Sequence, residues 1–317
     1  MVEGPASVSR DSKPPGKVTL FLRLTRFQFI PLIILPALAG TALAFSNHHN
    51  IDFAFLGLVA VGVALLHLGA NAVDDCYDYE NGVDQIANSI FPKDFGGWKP
   101  IPRGFISLRD GKIVSLILFA LSLSIGAYFW LVVGPWAFVL GLFGFLLALF
   151  YCAPPLKLDY RGIGLGELAI FLSFGPIPVL GAYYVQTGSL NLSALLVSIP
   201  IGIMTVVVLI DHDLIFYEVY SKARKLSLGT VLGRKNALFV SLGLTMLSFA
   251  MVIILALARI LPIWSIAAPL ASALLLLRKR STFAQPNNPP PFFVSFTENS
   301  LVANWLFASL LVLTMLI

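Results

Sequence analysis

Charge is what this 317-residue chain has least of: Asp, Glu, Lys and Arg make up 12% of it, against 58% hydrophobic residues. That ratio, with a mean hydropathy of +0.87, excludes a soluble domain, because a chain of this length has no interior large enough to hide so much apolar surface. Cysteine is scarce as well. The two present, Cys76 and Cys152, fall at the ends of apolar runs and read as small apolar fillers in a reducing compartment, not as a disulfide. Four histidines, two of them adjacent at His48 and His49, offer no zinc-ligand spacing. The first 17 residues, MVEGPASVSRDSKPPGK, lack the apolar core of a signal peptide and read as a mobile polar tail ahead of one membrane domain over 18–317.

What is there instead is a series of long apolar runs. Crossing hydrocarbon as a helix takes about 20 residues, and a lipid-exposed backbone must satisfy its own hydrogen bonds, which favours helices over open strands. Nine runs fit, at 26–46, 53–75, 112–132, 135–153, 163–186, 192–215, 237–258, 260–277 and 299–317. The expected fold is all-α: a polytopic bundle of nine transmembrane helices in a lipid bilayer. Of the 21 Lys and Arg, all but Arg259 precede the first run or follow an even-numbered one. Such a bias puts the N-terminus and those loops in the cytoplasm and the C-terminus outside a cell membrane. The net charge of +5 then belongs to one membrane face and does not mark a nucleic-acid-binding surface.

The acids are distributed less evenly still. The second run ends in LGANAVDDCYDYENGVD, where Asp74, Asp75, Asp78, Glu80 and Asp84 crowd the negative end of the helix dipole, the wrong pole for carboxylates. On a helix Asn71, Asp74, Asp75 and Asp78 share a face at spacings of three and four, close enough to repel. A resident cation resolves both conflicts, and carboxylate oxygens suit Mg²⁺, which also binds substrate phosphates. The sixth run ends the same way, in VLIDHDLIFYEVYSKARK, with Asp211, Asp213 and Glu218. Recurrence four spans later points to a duplicated four-helix unit. Around the two clusters stand cationic residues able to grip phosphate oxygens, Arg26, Lys99, Arg103, Lys157 and Arg161, with Asn71 on the acid face. The pattern describes a site for a diphosphate whose apolar body lies among the helices.

These residues resemble the UbiA superfamily of intramembrane prenyltransferases, most closely the 1,4-dihydroxy-2-naphthoate prenyltransferases of menaquinone synthesis. DDCYDYENGVD is similar to that group's Asn-Asp-x-x-Asp-x-x-x-Gly-x-Asp, with Asp74 in the Asn position and Asp75, Asp78, Gly82 and Asp84 matching. GGWKPIPRGFIS is similar to its glycine pair and basic residue, with Lys99 where Arg is common. Tyr151 to Gly188 is the most specific match, and KLSLGTVLGRKNA resembles the loop after the sixth span.

The resemblance implies a UbiA-like bundle in which Mg²⁺ on Asp74, Asp75, Asp78, Asp84 and Asp213 binds a polyprenyl diphosphate. Cations draw charge onto the leaving diphosphate, and an aromatic or quinone-precursor ring attacks the allylic carbocation in a water-poor cavity. Tyr151, Tyr160 and Phe174 are candidate aromatic walls for that carbocation. One departure stands out. Most relatives end the sixth span in a second Asp-x-x-x-Asp pair, where this chain has Phe216 and Tyr220. At 100° per residue Asp213 shares the face of His212, Phe216 and Tyr220, so it is the favoured replacement ligand, with Asp211 and Glu218 behind it. Other functions stay open: prenyl transfer to a non-aromatic lipid acceptor, or a non-catalytic lipid- or quinone-binding or transporting homologue.

Overall fold

The computed structural model describes residues 15–91, 99–277 and 289–317. Outside them lie most of the expected tail, Lys93, the glycine pair Gly96 and Gly97, and the cationic run 278–280. The described chain is helical, without strands. In chain order the helices are α1 (Lys17–Leu24), α2 (Pro31–His48), α3 (Phe53–Glu80), α4 (Val83–Ile90), α5 (Leu108–Val132), α6 (Pro135–Phe150), α7 (Leu165–Phe174), α8 (Pro176–Thr187), α9 (Leu192–Ile215), α10 (Tyr217–Ala223), α11 (Leu228–Leu257), α12 (Ala267–Leu276) and α13 (Pro290–Leu316).

Local sequence explains several starts. Asp52, Ser107, Asn191 and Ser227 precede α3, α5, α9 and α11, and each side chain accepts a first-turn N–H that no helical carbonyl can reach. Among the described residues seven helical stretches are long and apolar enough to cross a membrane, at 27–48, 53–80, 108–132, 165–187, 192–215, 228–257 and 290–316. Two shorter apolar ones, Pro135–Phe150 and Ile263–Leu276, fall at the expected fourth and eighth spans.

Several boundaries differ from expectation, among them the seventh span, whose helix α11 begins at Leu228 rather than at 237. The fifth span is two helices, α7 and α8, meeting at Gly175 where Pro176 opens α8. Gly175 lies so close to α9 that a Cβ there would come within 2.7 Å of Gly202 Cα. The last helix begins at Pro290 rather than at 299. Short helices α1, α4 and α10 flank the spans, and α1 starts inside the expected tail. They are too brief to register as apolar runs of spanning length.

Hydroxyl groups and small residues draw the spans together. Ser115 and Ser122 of α5 donate to the carbonyls of Gly69 and Gly62 on α3, each at 2.8 Å, and Ser248 of α11 donates to the Pro200 carbonyl of α9 at 2.9 Å. The largest buried apolar cluster joins α2, α8, α9, α11 and α13 through Leu43, Tyr183, Met204, Val252 and Phe307. Leu116, Leu131, Leu257, Leu274 and others stand exposed on the outside, a surface suited to hydrocarbon. Inside, α3 and α5 to α9 enclose a cavity together with α2 and α13.

Candidate active site

The cavity measures about 1030 Å³. Along α3 its lining extends from Val59 to Asp78, roughly 28 Å at 1.5 Å per residue. Most of that length is apolar, and the charge gathers at the end where α3 stops. The acid-bearing turn is not frayed: α3 stays helical through Glu80, and Asp75 and Asp78 are only 1% and 4% exposed. Asn71, Asp74, Asp75 and Asp78 all line the cavity, as their shared helical face requires. Gly82, at φ +79°, turns the chain in a conformation that favours glycine, and α4 then carries Asp84 back to the same rim.

Cations tie the rim together. Arg26 sits in the break after α1 with its own φ at +48°, and its guanidinium reaches Asp75 and, at 3.0 Å, Asp74. Lys99 bridges Asp84 at 2.9 Å, Asp75 at 3.2 Å and Asp78 at 3.5 Å. Burial works against the charge on Lys99, but these carboxylates outweigh it and hold the ammonium above the usual lysine range. Burial also raises the Asp84 carboxyl, with Lys99 pulling back. Lys225, from the loop before α11, spans Asp78 at 3.1 Å and Asp159 at 2.9 Å, under the rings of Tyr160 and Tyr220.

Four carboxylate oxygens remain buried with no hydrogen-bond partner among the described residues: Asp74 Oδ1, Asp75 Oδ2, Asp84 Oδ2 and Asp213 Oδ2. A buried acceptor left this way costs about 1–3 kcal/mol, and more when charged. All four belong to residues that line the cavity. No three His, Cys, Asp or Glu side chains among the described residues form a closed metal cage. Mg²⁺ does not require one, since it is commonly held by one or two carboxylates together with waters and substrate phosphates. The donor set fits a hard divalent cation.

The end of α9 separates its three acids. Asp213 faces the cavity with His212, Phe216 and Tyr220, although the helix breaks at Phe216 before α10 begins. Asp211 is fully buried on the far side, where Ser241 of α11 and Ser300 of α13 donate to its carboxylate at 2.7 and 2.5 Å. Glu218 pairs with Arg234 at 3.3 Å, half exposed.

The remaining expected residues divide. Arg26, Asn71, Lys99, Arg103 and Tyr151 line the cavity, and so does Phe174. Lys157, Tyr160 and Arg161 do not. Lys157 donates to Asn81 Oδ1 at 2.8 Å, and Asn81 in turn donates to the Tyr160 hydroxyl, which lies 3.4 Å from Asp78 behind the rim. Arg161 stands off the lining as well, its guanidinium folded back so that Nε and Nη2 donate to the carbonyls of Leu156 and Pro155. Lys225 and Asp159 line the cavity without having been expected there, and so does His67. For His67 the signal was present, four residues before Asn71 on the acid face.

A model of the UbiA prenyltransferase family matches residues 33–301. The chain belongs to the UbiA prenyltransferase family. It is therefore a prenyltransferase and a multi-pass membrane protein. Among relatives of this UbiA-family chain, the UbiA prenyltransferase domain-containing protein 1 of Dictyostelium discoideum is 31% identical over 77% of this chain and 73% of its own length. A 1,4-dihydroxy-2-naphthoate octaprenyltransferase of Mycobacterium tuberculosis is 30% identical over 76% of this chain and 80% of its own. The fold is similar to that of a UbiA homolog from Archaeoglobus fulgidus bound to GPP and Mg²⁺, with a TM-score of 0.65 at 16% identity, covering 94% of this chain and 99% of that one.

Proposed function

We propose that this UbiA-family prenyltransferase transfers a polyprenyl group from its diphosphate to an aromatic ring, 1,4-dihydroxy-2-naphthoate or a related quinone precursor, at the cytoplasmic face of the cell membrane. The observation that carries the reading is a charged rim opening onto a long apolar channel. Donorless carboxylate oxygens and the cations Arg26, Lys99 and Lys225 stand at the mouth of roughly 28 Å of mostly apolar lining. A diphosphate head fits the first and a prenyl tail the second. The naphthoate-type acceptor is supported by relatives that carry that activity in their names.

Asp74, Asp75, Asp84 and Asp213 would hold Mg²⁺, which when bound offsets the diphosphate charge and eases its departure. Arg26 can turn from Asp74 and Asp75 to offer paired N–H donors to phosphate oxygens, and Lys99 and Lys225 add point charges. Asp78 orients both lysines. Tyr151 and Phe174 help wall the space beneath the rim, where excluded water cannot quench the allylic cation and aromatic faces favour it. The cationic bias of the loops supports a cytoplasmic N-terminus and rim and an external C-terminus. The two shorter apolar helices would bring the spans to nine.

The test is reconstitution in liposomes with a panel of acceptors, reading diphosphate release with and without Mg²⁺. Mg²⁺-dependent release with the dihydroxynaphthoate is expected. Release only with a glycerol-phosphate lipid would overturn the acceptor, and none with any acceptor would point to a non-catalytic lipid-binding role.

The altered second motif gives a separate expectation. Asp213→Asn should weaken diphosphate binding and raise the Mg²⁺ needed for transfer, whereas Asp211→Asn and Glu218→Gln should leave the Mg²⁺ dependence near that of the parent, because both acids face away from the cavity. Magnesium titrations of the three variants decide it. Superimposable curves for Asp213→Asn and the parent would leave the first motif as the sole metal holder.

A further inference from the structure

His67 lies on α3 seven residues before Asp74, about 10 Å deeper along the helix axis. It shares the cavity-facing side with Asn71, Asp74 and Asp78, and it is only 8% exposed. Nothing in the diphosphate chemistry uses it. Its hydrogen bonds define its state. Asn71 Nδ2 donates to the Thr25 carbonyl at 3.1 Å, and the same nitrogen meets His67 Nε2 at 3.1 Å. An amide N–H needs a lone pair opposite it, so in this network Nε2 accepts and the imidazole proton resides on Nδ1. Among the described residues the Asn71 contact at Nε2 is the one hydrogen bond of the ring, so Nδ1 has no protein acceptor there. Phe174 meets the ring edge-on, with centroids 5.6 Å apart, which sets an aromatic wall beside this donor.

We infer that His67 is the acceptor-recognition residue, its Nδ1–H donating to a hydroxyl oxygen of the aromatic acceptor, with Asn71 fixing the tautomer. The inference rests on the aromatic-acceptor reading above and deepens it. The levels along α3 agree. A diphosphate held at Asp74 to Asp84 leaves its first prenyl carbon just below the rim, and the next polar groups down the same helical face are Asn71 and then His67. A ring hydroxyl bonded there places the ring against Phe174, between the leaving group and the apolar floor. A donor that faces the cavity and finds its partner in a hydroxylated ring selects against rings lacking that oxygen, since those cover the N–H without accepting from it.

The experiment compares the parent, His67→Leu and His67→Gln in liposomes. It measures kcat and KM for 1,4-dihydroxy-2-naphthoate and for analogues lacking one ring hydroxyl, with prenyl diphosphate binding measured separately. His67→Leu is expected to raise the acceptor KM about tenfold or more. His67→Gln, whose amide N–H still donates, should recover much of that loss, and prenyl diphosphate binding should be the same in all three. The parent should discriminate against one of the deoxy analogues, and His67→Leu should not. Thermal melts in detergent establish that each variant folds. If His67→Leu keeps the parent's discrimination, or if its diphosphate binding falls in step with the acceptor KM, the recognition role is overturned while the acceptor reading stands. A parent that prenylates no aromatic ring overturns both.

Discussion

Asp78→Asn is expected to lower prenyl transfer about 100-fold or more, the scale on which electrostatic groups act in such sites. The substitution preserves shape and volume and removes only charge. Asp78 accepts from Lys225 on one oxygen and faces Lys99 with the other, at 3.1 and 3.5 Å, so it orients two of the three cations that would meet the diphosphate. An amide can accept from one lysine but cannot balance two. Asp75→Asn should behave alike, because Asp75 anchors Arg26 and, at 3.2 Å, Lys99, and its second oxygen is one of the four left for a metal. Turnover in liposomes across a magnesium titration measures both variants. Parental turnover in the pair would sink the assignment of this motif.

How far the site was legible depends on whether the signal was local. The first acidic motif could be read because five carboxylates at the end of an apolar run defy both the helix dipole and one another. Asp213 could be read because α9 stays helical through Ile215, so a rotation of 100° per residue places it correctly relative to Asp211. The break at Gly175 had a written signal in Gly175–Pro176, but the run reads as one apolar stretch on either side of it, and hydropathy does not register a break. The orientation of Arg161 could not be read, because a cation in a loop can turn to the substrate or to its own backbone, and only the fold of residues 155–161 decides. The Lys225 bridge was invisible for a different reason. Its partners stand far away in sequence, on α3 and in the loop before α7, and no spacing rule connects them.

Lys225 therefore carries the expectation least obvious from sequence: Lys225→Met should destabilise the folded protein by about 3–5 kcal/mol, the cost of removing one partner from a buried ion pair. The lysine is about as buried as its two carboxylates, and Asp159 has no other cation within ion-pair distance among the described residues. Burial opposes the charge on Lys225, but Asp159 and Asp78 outweigh it and hold the ammonium above the usual lysine range. Burial raises the Asp159 carboxyl even against the pull of Lys225. Without the lysine that carboxyl takes up a proton more readily, which limits the loss. Two measurements separate its structural and chemical roles. In the Lys225→Met/Asp159→Asn double variant one orphaned charge is gone, so thermal unfolding in detergent should return a large part of the way to the parent. Transfer should not return with it, because Asp78 still lacks one of its lysines and the diphosphate still lacks one of its cations. A single variant that melts with the parent would mean that the bridge contributes nothing to stability. A double variant that recovers transfer along with stability would mean that Lys225 acts on the fold alone.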